Sequence, residues 1–116
     1  MRTRTGNLTI GFRRGGSAWQ KDLTGLIAWA QANDLGAVDL GRDADNCIQT
    51  VLDAGLRIGS VDLAEWQGMI APDKGERADA VARNADYVRA CGAQNYFLVM
   101  LPQDPGLPRA KNFQYL

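Results

Sequence analysis

One local pattern recurs three times along the 116 residues: a helix-like stretch runs into a glycine, an apolar residue follows, and a short apolar run comes next. It occurs at Leu35-Gly36-Ala37, Ala54-Gly55-Leu56 and Cys91-Gly92-Ala93. Glycine takes the left-handed backbone that stops a helix at no steric cost. A short apolar run bounded by polar residues reads as a buried strand. The repeat therefore dictates alternation of helix and strand, with each strand fed by the end of a helix. Near-continuous apolar strands between amphipathic helices imply a parallel sheet covered by helices, an α/β fold. Two architectures satisfy this: an open doubly wound sheet, or part of a barrel.

The elements follow from periodicity. Leu8 to Phe12 reads as a first strand, and Arg13-Arg14-Gly15-Gly16 as the loop after it. Ser17 opens a helix, with Gln20 placed to complete a capping box. Leu23, Leu26, Ile27 and Ala30 form its apolar stripe, and Gly36 is its expected left-handed cap. Ala37 to Leu40 is a second strand. Asp43 or Asp45 is expected to cap a second helix, whose stripe is Cys47, Ile48, Val51 and Leu52 and whose end is Gly55. Leu56 to Leu63 is a third strand, followed by a loop to Pro72. A longer helix starts near Pro72 or Asp73, shows Ala78, Val81, Ala82, Ala85 and Val88 at helical spacing, and ends at Gly92. Tyr96 to Leu101 is a fourth strand, apolar throughout. Pro102, Pro105 and Pro108 mark a loop, and Ala110 to Leu116 opens another helix. Trp19 and Trp29 fall on helix faces as packing residues.

Composition removes several function classes. Thirteen basic residues balance thirteen acidic ones. A chain with no basic excess is not expected to bind nucleic acid. No apolar run approaches the ~20 residues of a membrane span, so no membrane partner is expected. The polar start, Met1 to Asn7, lacks the apolar core of a secretory signal, and a cytoplasmic location is expected. Cys47 and Cys91 fall in expected helices without metal-ligand spacing, and read as free packed thiols. There is no histidine. That removes the commonest general base and the commonest transition-metal ligand, and with them any Ser-His-Asp or Cys-His device.

The segment Leu23 to Leu40, L-T-G-L-I-A-W-A-Q-A-N-D-L-G-A-V-D-L, resembles the first helix and second strand of the sugar phosphate isomerase/epimerase family. Leu52 to Leu63, L-D-A-G-L-R-I-G-S-V-D-L, resembles that family's third strand, and Glu76 to Phe97 its next helix and strand. Asp39 stands where the family usually has Glu. The resemblance covers residues 8 to 101 and implies a xylose isomerase-like TIM barrel, of which residues 1–116 would form a single domain, the first four β/α units. It implies an isomerase or epimerase of carbohydrate metabolism, acting on a small sugar or sugar phosphate with a divalent metal. The family's metal ligands are Glu, Asp, His and Glu on later strands. The metal is therefore expected only in a longer parent, and this chain alone is expected to hold no metal ligand and to be inactive. The His that many members carry near the third or fourth strand is missing here.

Barrel chemistry sits at the C-terminal ends of strands and in the loops after them. That selects Phe12, Arg13 and Arg14; Asp39 and Arg42; Asp62, Glu65 and Trp66; Met100 and Gln103. Of these, Phe12, Arg13, Asp39, Asp62, Glu65, Trp66 and Gln103 are the expected substrate-binding residues; no catalytic residue is assigned. Arg13 to Ser17 could hold a phosphate or carboxylate before a helix start, or be a solvated turn. Asp39 and Asp62 could orient sugar hydroxyls, or accept bonds from loop backbone and a nearby Arg. Trp66 beside Glu65 could grip a sugar, or pack over the strand ends. Phe12 fits a core as well as a pocket. Two other readings stand beside the isomerase: a stand-alone flavodoxin-like binding domain, and a half barrel that associates with a second copy through its open strand edges.

Overall fold

The computed structural model describes residues 8–99, 101, 102 and 104–115. The element order is β1 (Gly11–Arg13), α1 (Ala18–Lys21), α2 (Leu23–Ala32), β2 (Ala37–Leu40), α3 (Ile48–Asp53), β3 (Arg57–Asp62), α4 (Lys74–Cys91), β4 (Tyr96–Phe97) and α5 (Arg109–Phe113), with 3₁₀ turns at Ala44–Asn46 and Gly68–Ile70. The strands form one sheet in the order β1-β2-β3-β4. β1 and β3 both pair parallel with β2. Val61 N–H donates to Asn95 O and Leu63 N–H to Phe97 O, advancing two residues on each strand, which is the parallel pattern. The chain is thus α/β with an all-parallel sheet laid down in sequence order. No helix among the described residues is long and apolar enough to cross a membrane.

The chain divides into two compact units. One runs to Asp62 and takes in Ala93–Tyr96; the other holds Leu63–Gly92 and Phe97–Leu116. In the first, the buried apolar side chains are Leu26 and Ala30 of α2, Val38 and Leu40 of β2, Ile48 and Val51 of α3, Leu56, and Val61 of β3. Strand side chains alternate between faces, so Val38, Leu40 and Val61 lie on the helix-covered face. Phe12 joins them, its ring edge-on to Trp29 of α2 at 5.3 Å; Trp29 in turn meets Trp19 of α1 at 5.4 Å. Both tryptophans pack on each other while keeping a large exposed edge.

The opposite face of the sheet carries Gly11, Arg13, Ala37, Asp39, Gly59 and Asp62, none of which is buried. A register shift makes this possible. Val38 pairs with Ile58, but Leu40 pairs with Val61, so two residues of β2 span three of β3. The bulge reverses the alternation of β3. Val61 is buried as a result, and Asp62 joins Arg13 and Asp39. Gly59 sits beside the bulge because a Cβ there would stand 2.4 Å from Asp39 Oδ1.

In the second unit, α4 has the boundaries expected of it. Asp73 caps its start by accepting Glu76 N–H at 2.8 Å. Gly92 ends it at φ 61°, as Gly55 ends α3 at φ 83°. Its buried face differs from the expected stripe. Ala80, Asn84 and Cys91 are buried, whereas Val81 is 53% exposed and Ala78 and Ala82 face solvent. The reason is the turn at Gly68–Ile70: a Cβ on Gly68 would come within 2.8 Å of Ala80 Cβ, so this close approach selects the Ala80 side of the helix.

Other differences are local. The first expected helix is two, because Asp22 takes an extended backbone and caps α2 through Gly25 N–H at 3.2 Å. Ser17 bonds the Gln20 side chain and caps nothing. The left-handed residue after α2 is Asp34, at φ 55°; Gly36 is instead a sheet donor, to Ile10 O at 2.9 Å. Asp is among the few non-glycine residues that enter this region readily. Neither Asp43 nor Asp45 caps α3, which starts after Cys47, so that thiol is buried at the helix boundary. β1 begins at Gly11 rather than Leu8, and β4 stops at Phe97 rather than running on to Leu101.

Candidate functional site

Arg13 ends β1 directly beside Asp39 of β2 in the pairing register. Its guanidinium reaches across to Asp62 of β3 as a two-pronged pair, with Nη1 donating to Oδ1 at 3.0 Å and Nη2 to Oδ2 at closer range. The hydrogen bond to Asp62 holds the Arg13 guanidinium above its ordinary pKa. Burial works against it, and the charges of Asp62 and then Asp39 add to it by smaller amounts. Arg13 is half exposed, so the pair stabilises the fold by only about 0.5–1 kcal/mol. Its value is positional. One cation and two carboxylates are fixed at adjacent strand ends, on the face that helices leave open. Asp39 lies close over Gly59, which keeps its carboxylate on that face.

Arg14, one residue on, turns the other way. Its backbone N–H donates to Asp39 O at 3.0 Å, continuing the β1–β2 ladder. Its side chain is 10% exposed. Nε donates to Gln20 O at 3.0 Å, and Nη1 meets Asp43 Oδ2 at 3.0 Å and Cys47 Sγ at 3.4 Å. Arg14 therefore ties the loop after β1 to the end of α1 and to the loop after β2. Between these loops lies a cleft of about 390 Å³ lined by Arg13, Arg14, Gly15, Gly16, Lys21, Gly41 and Asp43. Sequence reasoning proposed Asp43 only as a helix cap and did not select Lys21. The signal for Lys21 was present: one helical turn beyond a Gly-Gly loop folds a side chain back toward the loop.

The remaining expected residues are dispersed. Phe12 faces the α2 tryptophans, away from Arg13 and Asp62, because adjacent strand residues take opposite faces. Arg42 is exposed in the turn after β2. Glu65 belongs to the second unit, where its carboxylate meets Arg83 at 3.2 Å and its N–H donates to Asn84 Oδ1 at 3.1 Å. Trp66 follows it, half-buried. Asn84, a polar residue on a helix interior, went unremarked in the sequence; it is buried because it serves the Glu65 backbone, and its Nδ2 has no hydrogen-bond partner among the described residues. Met100 and Gln103 lie outside the described residues. A second cleft, of about 490 Å³, lies within this unit among Ile70, Pro102, Pro105, Leu107, Arg109, Asn112 and Phe113. It is apolar except for Arg109, which stacks on Phe113, and Asn112.

Among the described residues, no three Cys, Asp or Glu side chains converge as a metal cage requires. Asp62 faces a guanidinium, which takes one lone pair on each of its oxygens and leaves the others to accept further donors. No protein-family model matches the chain, and a search of curated proteins finds no match.

Proposed function

We propose that this chain is the substrate-wall part of a metal-dependent sugar or sugar phosphate isomerase/epimerase, with the fold of the first four units of a xylose isomerase-like barrel. The observation that carries the reading is the Arg13–Asp62 pair beside Asp39, at the C-terminal ends of three neighbouring parallel strands. A face with fixed donors and acceptors and small neighbours, Gly11, Ala37 and Gly59, suits a polyol: carboxylate oxygens accept from hydroxyls, and the guanidinium donates to a carbonyl or hydroxyl oxygen. The sequential strand order supports a barrel over a flavodoxin-like domain, whose order 2-1-3-4-5 places the first strand inside the sheet. In this proposal the metal and its ligands belong to later strands of the parent, so the residues described above orient substrate and move no proton.

Titration of the chain with aldoses, ketoses and their monophosphates, read through backbone amide shifts, tests this. Saturable shifts at Arg13, Asp39 and Asp62 that vanish in Asp39→Asn with Asp62→Asn are expected. Failure of every sugar to shift these amides overturns the reading. Metal-dependent isomerase activity in the 116-residue chain by itself would overturn the restriction to a wall.

A second reading has its own support. Phe97, Leu98, Val99 and Leu101 form an exposed apolar run at the β4 edge, and such an edge favours pairing with a second copy. Sedimentation showing one species at monomer mass over a wide concentration range excludes it.

A further inference from the structure

We propose that the cleft between the loops after β1 and β2 binds a phosphate group, gripped by Arg14 and Lys21 beside the open backbone of Gly16. Arg14 is held on one side only. Nε and Nη1 carry all of its hydrogen bonds to described residues. Nη2 has none, yet it is not sealed away, since Asn84 Nδ2 is the one described side-chain atom both fully buried and unpaired. A guanidinium nine-tenths buried and fixed by three partners offers the N–H groups of Nη2 with no further loss of freedom, the arrangement that favours charge-assisted bonds to a phosphate. Lys21 lines the same cleft and makes no ion pair among the described residues.

Charge favours a phosphate. Arg13 is balanced by Asp62, which leaves Arg14 and Lys21 against Asp43 alone. The Asp43 side chain is 57% exposed and bonds Arg14 through one oxygen, so it can rotate into solvent when a dianion arrives. The phosphate then gains two cations where the carboxylate had one. A Cβ on Gly16 would meet nothing within 4 Å, so the approach to the loop is open. The volume, about 390 Å³, exceeds a bare phosphate and suits a small ester. That the ester is a sugar phosphate rests on the proposed function; the phosphate site itself does not.

Calorimetry and amide-shift titrations with inorganic phosphate, sulfate, glucose and glucose 6-phosphate test the site on the intact chain. Both substitutions alter exposed ends of the cleft and leave the Arg14 anchor to Gln20 in place. Lys21→Ala is expected to weaken phosphate binding about tenfold, and Asp43→Asn to tighten it about threefold, each tenfold being 1.4 kcal/mol. Phosphate binding that neither substitution changes, or no saturable binding, overturns the site. If phosphate binds as expected but neither glucose 6-phosphate nor any other aldose or ketose monophosphate adds to it, the site stands and the isomerase reading falls. If glucose and glucose 6-phosphate bind equally, and Lys21→Ala leaves both unchanged, the isomerase reading stands and the site falls.

Discussion

The interior strands and the edge strands of this sheet follow different rules. β2 and β3 contain charged residues, Asp39 in the one and Arg57 and Asp62 in the other, yet they are four and six residues long and supply the fully buried side chains Val38, Leu40 and Val61. The run from Tyr96 to Leu101 has no charge at all, yet it yields two residues of strand, and Phe97 is 50% exposed. β1, at the other edge, has three. Apolar character therefore does not set strand length here; neighbours do. A strand flanked on both sides satisfies its backbone along its length, while an edge strand leaves one row of donors and acceptors to water.

The largest test of this contrast is Leu40→Ala. A fully buried leucine between two strands should cost about 2–5 kcal/mol on truncation, whereas Leu101→Ala at the exposed run should cost within about 0.5 kcal/mol. Denaturant midpoints measure both, and equal losses would break the distinction. Next in size is Asn84→Ala. It leaves the Glu65 N–H without its acceptor and should cost about 1–3 kcal/mol; hydrogen exchange at the Glu65 amide should rise with it. Arg13→Gln removes the pair that joins an edge strand to an interior one. Because Arg13 is half exposed, a double-mutant cycle with Asp62→Asn should return a coupling below about 1 kcal/mol, and a larger coupling would show the open face to be drier than described. The smallest effect on stability belongs to Phe97→Ser with Val99→Ser, within about 0.5 kcal/mol. Their effect should appear instead in sedimentation, as a loss of any self-association through the β4 edge.

How much of this was legible depends on whether one residue or two must be known. Gly55 and Gly92 announced their helix ends because the conformation there is one that few residues other than glycine enter. Gly36 misled for the same reason: Asp34, two residues earlier, takes the left-handed turn, and no local rule ranks an Asp above a nearby Gly. Asp22 could have been read as a cap, since Gly25 lies three residues on, but the stronger Ser17/Gln20 pattern concealed it. Arg13 and Arg14 look alike in the sequence and do opposite things, because one strand step separates two faces. Their partners, Asp62 and Asp43, are 49 and 29 residues away. Only the assembled sheet brings them together. The stripe on α4 failed similarly, since the close approach of Gly68 outweighs the apolar face that periodicity marks.

The register shift in β3 makes the open face depend on backbone pairing in a way it does not depend on side-chain chemistry. Asp62 can be exchanged for Asn, or Arg13 for Lys, and the same positions still face one another. Straightening the strand at its present length would carry Asp62 into the helix layer and turn Val61 outward, whereas removing one residue at Gly59 or Ser60 would leave Val61 opposite Leu40 and Asp62 on the open face. Such a strand behaves like a two-position key. Point changes adjust what the face holds, while the bulge decides whether there is a polar face at all, so the odd spacing between Val38's partner and Leu40's partner carries as much information as their identity.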